Sequence, residues 1–321
     1  MPHLDQYKWV KEIVFFLYET EEDAKAGTKA GGTGFLVSVP SKRWGPRIPH
    51  THAVTNWHNA CGGKAHIIRI NRHNAEPETF DFSPDQWAFV PGGPDVAVSP
   101  ILRLRRSVHA AAAVGIPTLL TAAEEEKDDI GEADDVFMVG RFIDYDGEKT
   151  NIPAFRFGHI SIKEAILKQE TDFKGRSIVV DMHSRTGYSG SPVFVYRTPG
   201  SSFPEKDHFI TGNMLRLLGI HWGQFREPWD VKDKPPKNGK RANFYKRDPQ
   251  YVEALSGMTC VVPAQAIIDL LLNDKNLIAM REEEEKRIAP DVEEELMKRP
   301  QAETASKEPD APTKTDTPPS Y

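Results

Sequence analysis

Short apolar segments separated by turns dominate the chain and predict β-strands. Each segment is rich in Val, Ile, Phe or Leu, and Gly, Pro or Asn residues lie between the segments, as is typical of all-β sandwiches and barrels. Six of these strands precede a connecting segment at Arg103–Asp135 and six follow it. The sequence therefore predicts an all-β fold of two six-stranded antiparallel β-barrels.

The predicted strands fall into two groups. The first group is Ile13–Tyr18, Thr33–Val39, His52–Thr55, Ala65–Ile70, Trp87–Val90 and Asp95–Val98. The second group is Val136–Val139, Phe155–Ile162, Ser177–Met182, Ser191–Tyr196, Leu215–Trp222 and Thr259–Val262.

The C-terminal part of the chain differs from the strands. Pro263 is well placed to open a helix, and an apolar face continues to about residue 272. The chain then becomes charged and rich in Pro, Thr and Ser, a composition that cannot bury enough apolar surface to fold alone. We predict one domain over residues 1–275, with barrels at about 10–105 and 130–263 and a helix at 264–275, followed by a charged, flexible tail over 276–321. The Glu-rich start of this tail could continue the helix into solvent, and residues from about 290 to 321 are predicted to be disordered.

Composition narrows the functional classes. The chain has 321 residues, of which 39% are hydrophobic, and its net charge of −6 gives no bulk attraction to nucleic acid. Two distant cysteines, Cys61 and Cys260, fit a reducing compartment. No signal peptide, membrane span, metal-ligand spacing or phosphate-binding glycine motif is visible. We expect a cytoplasmic protein without metal, cofactor or nucleic acid, and the oligomeric state is open.

One small-residue turn can carry chemistry. Gly187-Tyr188-Ser189-Gly190 precedes an apolar run, and glycines on both sides of Ser189 allow a tight turn and a close approach of substrate. Such a turn can aim the backbone N–H groups of Gly187 and Ser189 at one developing oxyanion. The same residues also form ordinary turns before strands.

A serine nucleophile needs a histidine base and a carboxylate that orients the histidine. His58 follows a predicted strand and Asp95 begins another, so both lie at strand ends, where side chains commonly face a cleft. Taken alone, His58 could be a structural histidine and Asp95 a turn residue. Together with Ser189 they form a candidate catalytic set.

Four motifs in this order resemble those of trypsin-like, chymotrypsin-fold serine peptidases of the bacterial kind. The motifs are Gly32-Thr33-Gly34-Phe35, Thr55-Asn56-Trp57-His58, Asp95-Val96-Ala97-Val98 and Gly187-Tyr188-Ser189-Gly190-Ser191-Pro192. The resemblance covers about residues 13–272 and implies a serine endopeptidase that acts on polypeptides without a cofactor. It also implies that His58 is the base, that Asp95 orients it, that Ser189 attacks, and that Gly187 and Ser189 bind the oxyanion.

A further resemblance concerns the substrate pocket. The run Gly219-Ile220-His221-Trp222-Gly223 is similar to the pocket strand of glutamyl endopeptidases. This likeness implies that His221, with Trp222 and Gly223, contacts an acidic side chain before the scissile bond. His221 could equally pack within the strand. Arg185, just before the nucleophile turn, could supply positive charge or lie in solvent.

One departure from the family pattern concerns regulation. Tyr188 stands where many secreted relatives have an aspartate that pairs with a cleaved N-terminus, so we expect no activation by N-terminal cleavage. The basic insertion 224–257 can frame the cleft or form a solvated loop. A peptidase-like binding module, either catalytically silent or activated by a partner, is the alternative to an enzyme.

Overall fold

The computed structural model describes residues 4–142, 147, 149–182, 187–198, 202–203, 206–209, 214–230 and 251–288. Arg185, residues 231–250 of the basic insertion and the tail after residue 288 lie outside the described residues. The predictions made for them stay predictions.

The described residues form strands, α-helices and three 3₁₀ helices. The strands are β1 (Val14–Tyr18), β2 (Gly32–Ser41), β3 (Gly45–Thr55), β4 (Ile67–Arg72), β5 (Ala75–Asp81), β6 (Ala97–Leu102), β7 (Val114–Gly115), β8 (Asp135–Gly140), β9 (Ala154–Lys168), β10 (Lys174–Asp181), β11 (Pro192–Arg197), β12 (Ser202–Phe203), β13 (Lys206–Phe209), β14 (Met214–Asp230) and β15 (Tyr251–Pro263). The α-helices are α1 (Glu21–Ala26), α2 (Trp57–Ala60), α3 (Ala122–Lys127), α4 (Ala264–Asn273) and α5 (Lys275–Arg287). The 3₁₀ helices are Leu4–Ile13, Pro84–Gln86 and Ile116–Thr118.

Two β units confirm the predicted all-β fold. The first is a sheet in the order β5-β4-β1-β2-β3-β6, with β7 paired in parallel to β2. The second is a closed six-stranded barrel in the order β10-β15-β14-β11-β8-β9. The pairings along both paths are antiparallel. The first unit differs from the predicted six-stranded barrel, because it has seven strands and its strand path stays open.

The open path of the first unit reflects two local differences from the predicted strands. Trp87–Val90 contributes a single bridge, between Ala88 and Val98, and no strand. β5 supplies the edge instead, although its proline and acidic residues gave no strand signal. Proline is tolerated on such an edge because one side of an edge strand needs no ladder hydrogen bond.

The apolar residues form three cores, and β1 contributes to two of them. All five β1 residues are buried, and successive side chains of a strand point to opposite faces. Phe15 and Leu17 pack in the core of the first unit, whereas Phe16 and its alternate neighbours join residues of β8, β11, β14 and α4 in a core shared by both units. The third core fills the second barrel. The shared core fixes the two units against each other.

The C-terminal helices correct the predicted boundary of the tail. α4 begins after Pro263 as predicted, but the charged segment after residue 275 forms α5 and packs on the first unit. Leu277, Arg281 and Glu285 are buried at spacings of one helical turn, and the Ser41 hydroxyl donates a hydrogen bond of 2.6 Å to Glu285. Among the described residues, no helix combines the length and hydropathy needed to cross a membrane.

Candidate active site

His58 and Asp95 are joined at two points. β3 ends at Thr55, and His58 follows in the short helix α2. The buried Asp95 carboxylate accepts the backbone N–H of His58 at 3.0 Å and lies 2.6 Å from its Nδ1. Because a carboxylate can only accept, Nδ1 carries a proton and Nε2 is the atom left to accept another. The His58 side chain is 24% exposed and reaches solvent.

Two further side chains hold the Asp95 segment. The Asn56 amide donates to the Asp95 carbonyl at 2.8 Å. The buried Gln169 side chain, in the turn between β9 and β10, accepts the Asp95 N–H at 2.8 Å. β9 and β10 belong to the second barrel, so the bond from Asp95 to Gln169 connects the first unit to that barrel. Sequence inspection missed Gln169 because a single glutamine in a turn carries no pattern.

The nucleophile turn has the conformation that its glycines allow. Gly187 and Gly190 have φ values of +94° and +89°, a region that favours glycine. A Cβ on Gly190 would lie 1.9 Å from the Thr33 carbonyl oxygen, so the close approach of β2 also requires glycine there. Among the described residues, the backbone N–H groups of Gly187 and Ser189 donate to no partner. Two donors of the kind that binds an oxyanion are therefore unused.

Three carbonyls of this turn, those of Gly187, Tyr188 and Ser189, accept hydrogen bonds, in contrast to those two N–H groups. The first unit contacts the Ser189 carbonyl through the Thr33 N–H at 2.9 Å and the Asn59 amide at 3.0 Å. The Gly187 carbonyl accepts the Thr33 hydroxyl at 2.7 Å. The Tyr188 carbonyl accepts the Ser191 N–H at 2.9 Å. Thr33 lies in a motif that carried the resemblance, so the motif could have identified it.

Ser189 lies in the turn before β11 of the second barrel, whereas His58 lies in α2, after β3 of the first unit. Asn59, the residue after His58, contacts the Ser189 carbonyl. Within the part of the chain that the structure describes, no hydrogen bond joins the His58 imidazole to the Ser189 hydroxyl. Catalytic hydrogen bonds are often long in the absence of substrate and shorten in the complex.

His221 supports the turn through its backbone and is buried through its side chain. Its carbonyl accepts the Gly190 N–H and its N–H donates to the Ser191 carbonyl, both at 2.9 Å. Its Nδ1 lies 3.2 Å from the Cys260 carbonyl, so Nδ1 bears the proton. Burial lowers the pKa of His221 to about 4, and the charges of His58 and Asp95 also act on it. At neutral pH the imidazole is therefore uncharged.

The other residues predicted to line the substrate pocket differ in their surroundings. The Trp222 indole packs in the shared core and donates to the Ser177 hydroxyl at 3.3 Å. Among the described residues, no atom lies within 4 Å of a Cβ placed on Gly223. Arg185 lies outside the described residues. The structure thus joins the backbone of His221 to the nucleophile turn and packs Trp222 in the shared core.

Tyr188 is held within its own barrel. Its side chain is fully buried, its hydroxyl accepts Nε of Arg156 at 3.1 Å, and the Arg156 guanidinium lies 5.3 Å from the centre of its ring. The residue before the candidate nucleophile therefore already has a cationic partner from β9.

Neither cysteine is suited to act as the nucleophile. Cys61 and Cys260 are free, and burial raises the pKa of each thiol to about 12. A thiol with such a pKa forms almost no thiolate at neutral pH. Across the described residues, no group of three His, Cys, Asp or Glu side chains could hold a metal ion.

Comparison with solved structures finds protease domains. The MamO protease domain from Magnetospirillum magneticum has 16% identity and a TM-score of 0.46, over 84% of this chain and 100% of that domain. The Rv3671c protease has 16% identity in both forms. Its inactive form gives a TM-score of 0.43 over 84% of this chain and 94% of its own. The active form, from M. tuberculosis, gives 0.40 over 84% and 86%.

No family model matches the chain, and no curated protein matches it. The functional assignment therefore rests on the contacts within the chain.

Proposed function

We propose that this chain is a serine endopeptidase in which His58, Asp95 and Ser189 act as a catalytic triad. The observation that carries the proposal is the two-point contact between the Asp95 carboxylate and His58. It fixes both the position and the tautomer of the imidazole, as a general base requires. The unused N–H groups of Gly187 and Ser189 give independent support, because an oxyanion needs such donors.

The proposed reaction begins with acylation. Nε2 of His58 takes the proton of the Ser189 hydroxyl while Oγ forms a bond to the substrate carbonyl carbon. The carbonyl oxygen becomes an oxyanion that accepts hydrogen bonds from the N–H groups of Gly187 and Ser189. The carbon–nitrogen bond then breaks, and His58 gives its proton to the leaving amine.

Deacylation uses the same groups with water as the nucleophile. His58 takes a proton from water, whose oxygen bonds to the acyl carbon. The bond from this carbon to Ser189 Oγ then breaks, and His58 returns the proton to Oγ. The second product leaves as a carboxylic acid. The chemistry uses only side chains, backbone N–H groups and water.

A peptide-library digest tests the proposal. The full chain is incubated with the library, and new termini are identified by mass spectrometry. We expect cleavage by the wild type and none by Ser189→Ala. Ser161→Ala, on β9, serves as a control that retains cleavage. Identical digests from wild type and Ser189→Ala would contradict the proposal.

The proposal extends to an acidic residue before the scissile bond, recognised by His221. The neutral imidazole presents Nε2 as an acceptor, because Nδ1 donates to the Cys260 carbonyl. A substrate carboxylate is also only an acceptor, so the two groups can bind only by sharing one added proton. Since the pKa of His221 is about 4, this proton is taken up on binding. The preference therefore weakens as pH rises.

Matched substrates with Glu or Gln before the cleaved bond measure this preference. The ratio of their kcat/KM values is expected to be largest under acidic conditions and to fall toward neutral pH. His221→Gln should reduce the ratio, whereas His109→Gln, a change at a buried histidine of the first unit, should leave it unchanged. A ratio that favours Gln at every pH would contradict the acidic preference but not the peptidase activity.

A partner-activated peptidase-like module is the second candidate. The observation that favours it is the lack of a hydrogen bond between the His58 imidazole and the Ser189 hydroxyl within the described part of the chain. In that case a partner would bring the two side chains together. Hydrolysis by the isolated chain would contradict this alternative, and hydrolysis only after addition of a cell extract would support it.

A further inference from the structure

Thr33 is the residue of the first unit that contacts the nucleophile turn at two carbonyls. Its backbone N–H donates to the Ser189 carbonyl at 2.9 Å, and its hydroxyl donates to the Gly187 carbonyl at 2.7 Å. Its side chain is fully buried. One residue of β2 therefore holds the carbonyls of the two residues that flank Tyr188.

The hydroxyl of Thr33 has a fixed orientation. It donates to Gly187 and accepts the backbone N–H of Arg141 at 3.2 Å. The Thr33 carbonyl in turn accepts the Thr55 hydroxyl at 2.8 Å, which ties β2 to β3. A buried hydroxyl with both a donor and an acceptor partner has little freedom to rotate.

The hydrogen bonds from Thr33 restrain Gly187 and Ser189, the residues that supply the proposed oxyanion donors. Gly187 has a φ of +94°, and a glycine has more backbone conformations available than any other residue. The hydrogen bonds from Thr33 fix the Gly187 and Ser189 carbonyls, which limits rotation of both residues about their backbone bonds. Electrostatic stabilisation is effective when the donors are held in place before charge develops.

We propose that Thr33 is a positioning residue for the oxyanion hole: the first unit holds the N–H donors of the second barrel through the Thr33 hydroxyl. This inference rests on the proposed peptidase function. It makes the geometry of the donors depend on packing between the two units. It also gives the turn an anchor that requires no newly cleaved N-terminus.

Two substitutions test the role of the hydroxyl. Thr33→Val keeps the shape and removes the donor, whereas Thr33→Ser keeps the donor. For Thr33→Val we expect kcat on a cleavable peptide to fall roughly 10- to 100-fold, less than or comparable to the loss of one oxyanion donor. The KM should stay within about twofold, since the contact acts on the transition state. Thr33→Ser should restore most of the loss.

Hydrogen exchange supplies a readout that does not need activity. In Thr33→Val, peptides that cover residues 187–190 should exchange at least about tenfold faster than in the wild type, because a local anchor is lost. Thr121→Val is the control for general destabilisation. Thr121 caps α3 and accepts the Glu124 N–H, so its loss lowers stability outside the site. It should change neither kcat nor exchange in the turn.

The outcomes separate the two proposals. Faster exchange with a selective loss of kcat in Thr33→Val, and recovery in Thr33→Ser, would support the role of Thr33. Unchanged exchange in Thr33→Val, or equal loss in both variants, would overturn it. A wild-type chain that hydrolyses no peptide would overturn the peptidase function, while the exchange comparison would still decide whether Thr33 holds the turn.

Discussion

The Asp95 carboxylate contacts His58 through two different atoms, one oxygen on the backbone N–H at 3.0 Å and the other on Nδ1 at 2.6 Å. The contact with the backbone N–H fixes the first turn of α2, and the contact with Nδ1 fixes the orientation of the imidazole ring. Since Asp95 is fully buried, its charge acts on the imidazole with little screening by water.

Asp95→Asn should reduce kcat by about 10⁴-fold, the loss known for the same change in a catalytic triad. The asparagine amide would present an N–H to Nδ1 and favour the tautomer with its proton on Nε2, which cannot accept the serine proton. Steady-state kinetics on a cleaved peptide measures the effect. Asp135→Asn, which breaks an exposed ion pair with His159, should retain full activity. A loss of less than about tenfold for Asp95→Asn would contradict the assigned role.

Gln169→Leu should destabilise the fold and lower activity together. It removes the acceptor of the buried Asp95 N–H, and an unsatisfied buried donor costs about 1–3 kcal/mol of unfolding free energy. Denaturant unfolding and peptide kinetics provide the two readouts. Gln265→Leu, at a half-buried glutamine that accepts the Ala122 N–H, is the matched control. Wild-type stability and kcat in Gln169→Leu would show that Gln169 does not support Asp95.

Residues added or removed ahead of Leu4 should not change the rate at which a fluorophosphonate labels the chain. Tyr188 is buried and already contacts Arg156, and its side chain offers no carboxylate to a free amine. A set of variants that carry a cleavable N-terminal extension tests this. A labelling rate that increases strongly only after cleavage of the extension would contradict the prediction.

Acid should weaken the fold through His52. Burial lowers the pKa of His52 from 6.5 to about 4, so between these values the unfolded chain binds a proton that the folded chain does not. The contribution of neutral His52 to stability is therefore complete above pH 6.5 and is lost as pH falls, at up to about 1.4 kcal/mol per pH unit for one proton.

The contacts of His52 give the physical basis for this loss. Nδ1 donates to the Ser99 carbonyl, and Nε2 accepts an N–H of Arg281 on α5. A protonated ring cannot accept that bond and would repel the guanidinium. The unfolding free energy of His52→Gln should depend less on pH than that of the wild type between these pKa values. Parallel pH profiles for the two proteins would contradict the assignment.

The sequence predicted the parts of the site that depend on local motifs. His58, Asp95 and the glycines around Ser189 lie at the ends of apolar segments, and residue type with order along the chain was enough to select them. Contacts between distant segments were not predictable. The Thr33 hydroxyl and the Gly187 carbonyl are separated by 154 positions, and only the packing of the two units brings them together.

The α5 helix shows the same limit in the fold. Its run of glutamates indicated a solvated segment, yet Glu285 is buried against Ser41 and His50. A charged helix can pack on a β-sheet when the sheet supplies polar partners. The sequence of the helix alone does not reveal such partners, because they lie on β2 and β3.

The central claim is that Ser189 is a nucleophile activated by His58. The most direct measurement is fluorophosphonate labelling of the full chain, read by intact mass and by mapping of the modified peptide. We expect one adduct, on Ser189, that is absent in Ser189→Ala and much slower to form in His58→Ala. A wild-type chain that stays unlabelled, or that is labelled equally well in Ser189→Ala, would contradict the account.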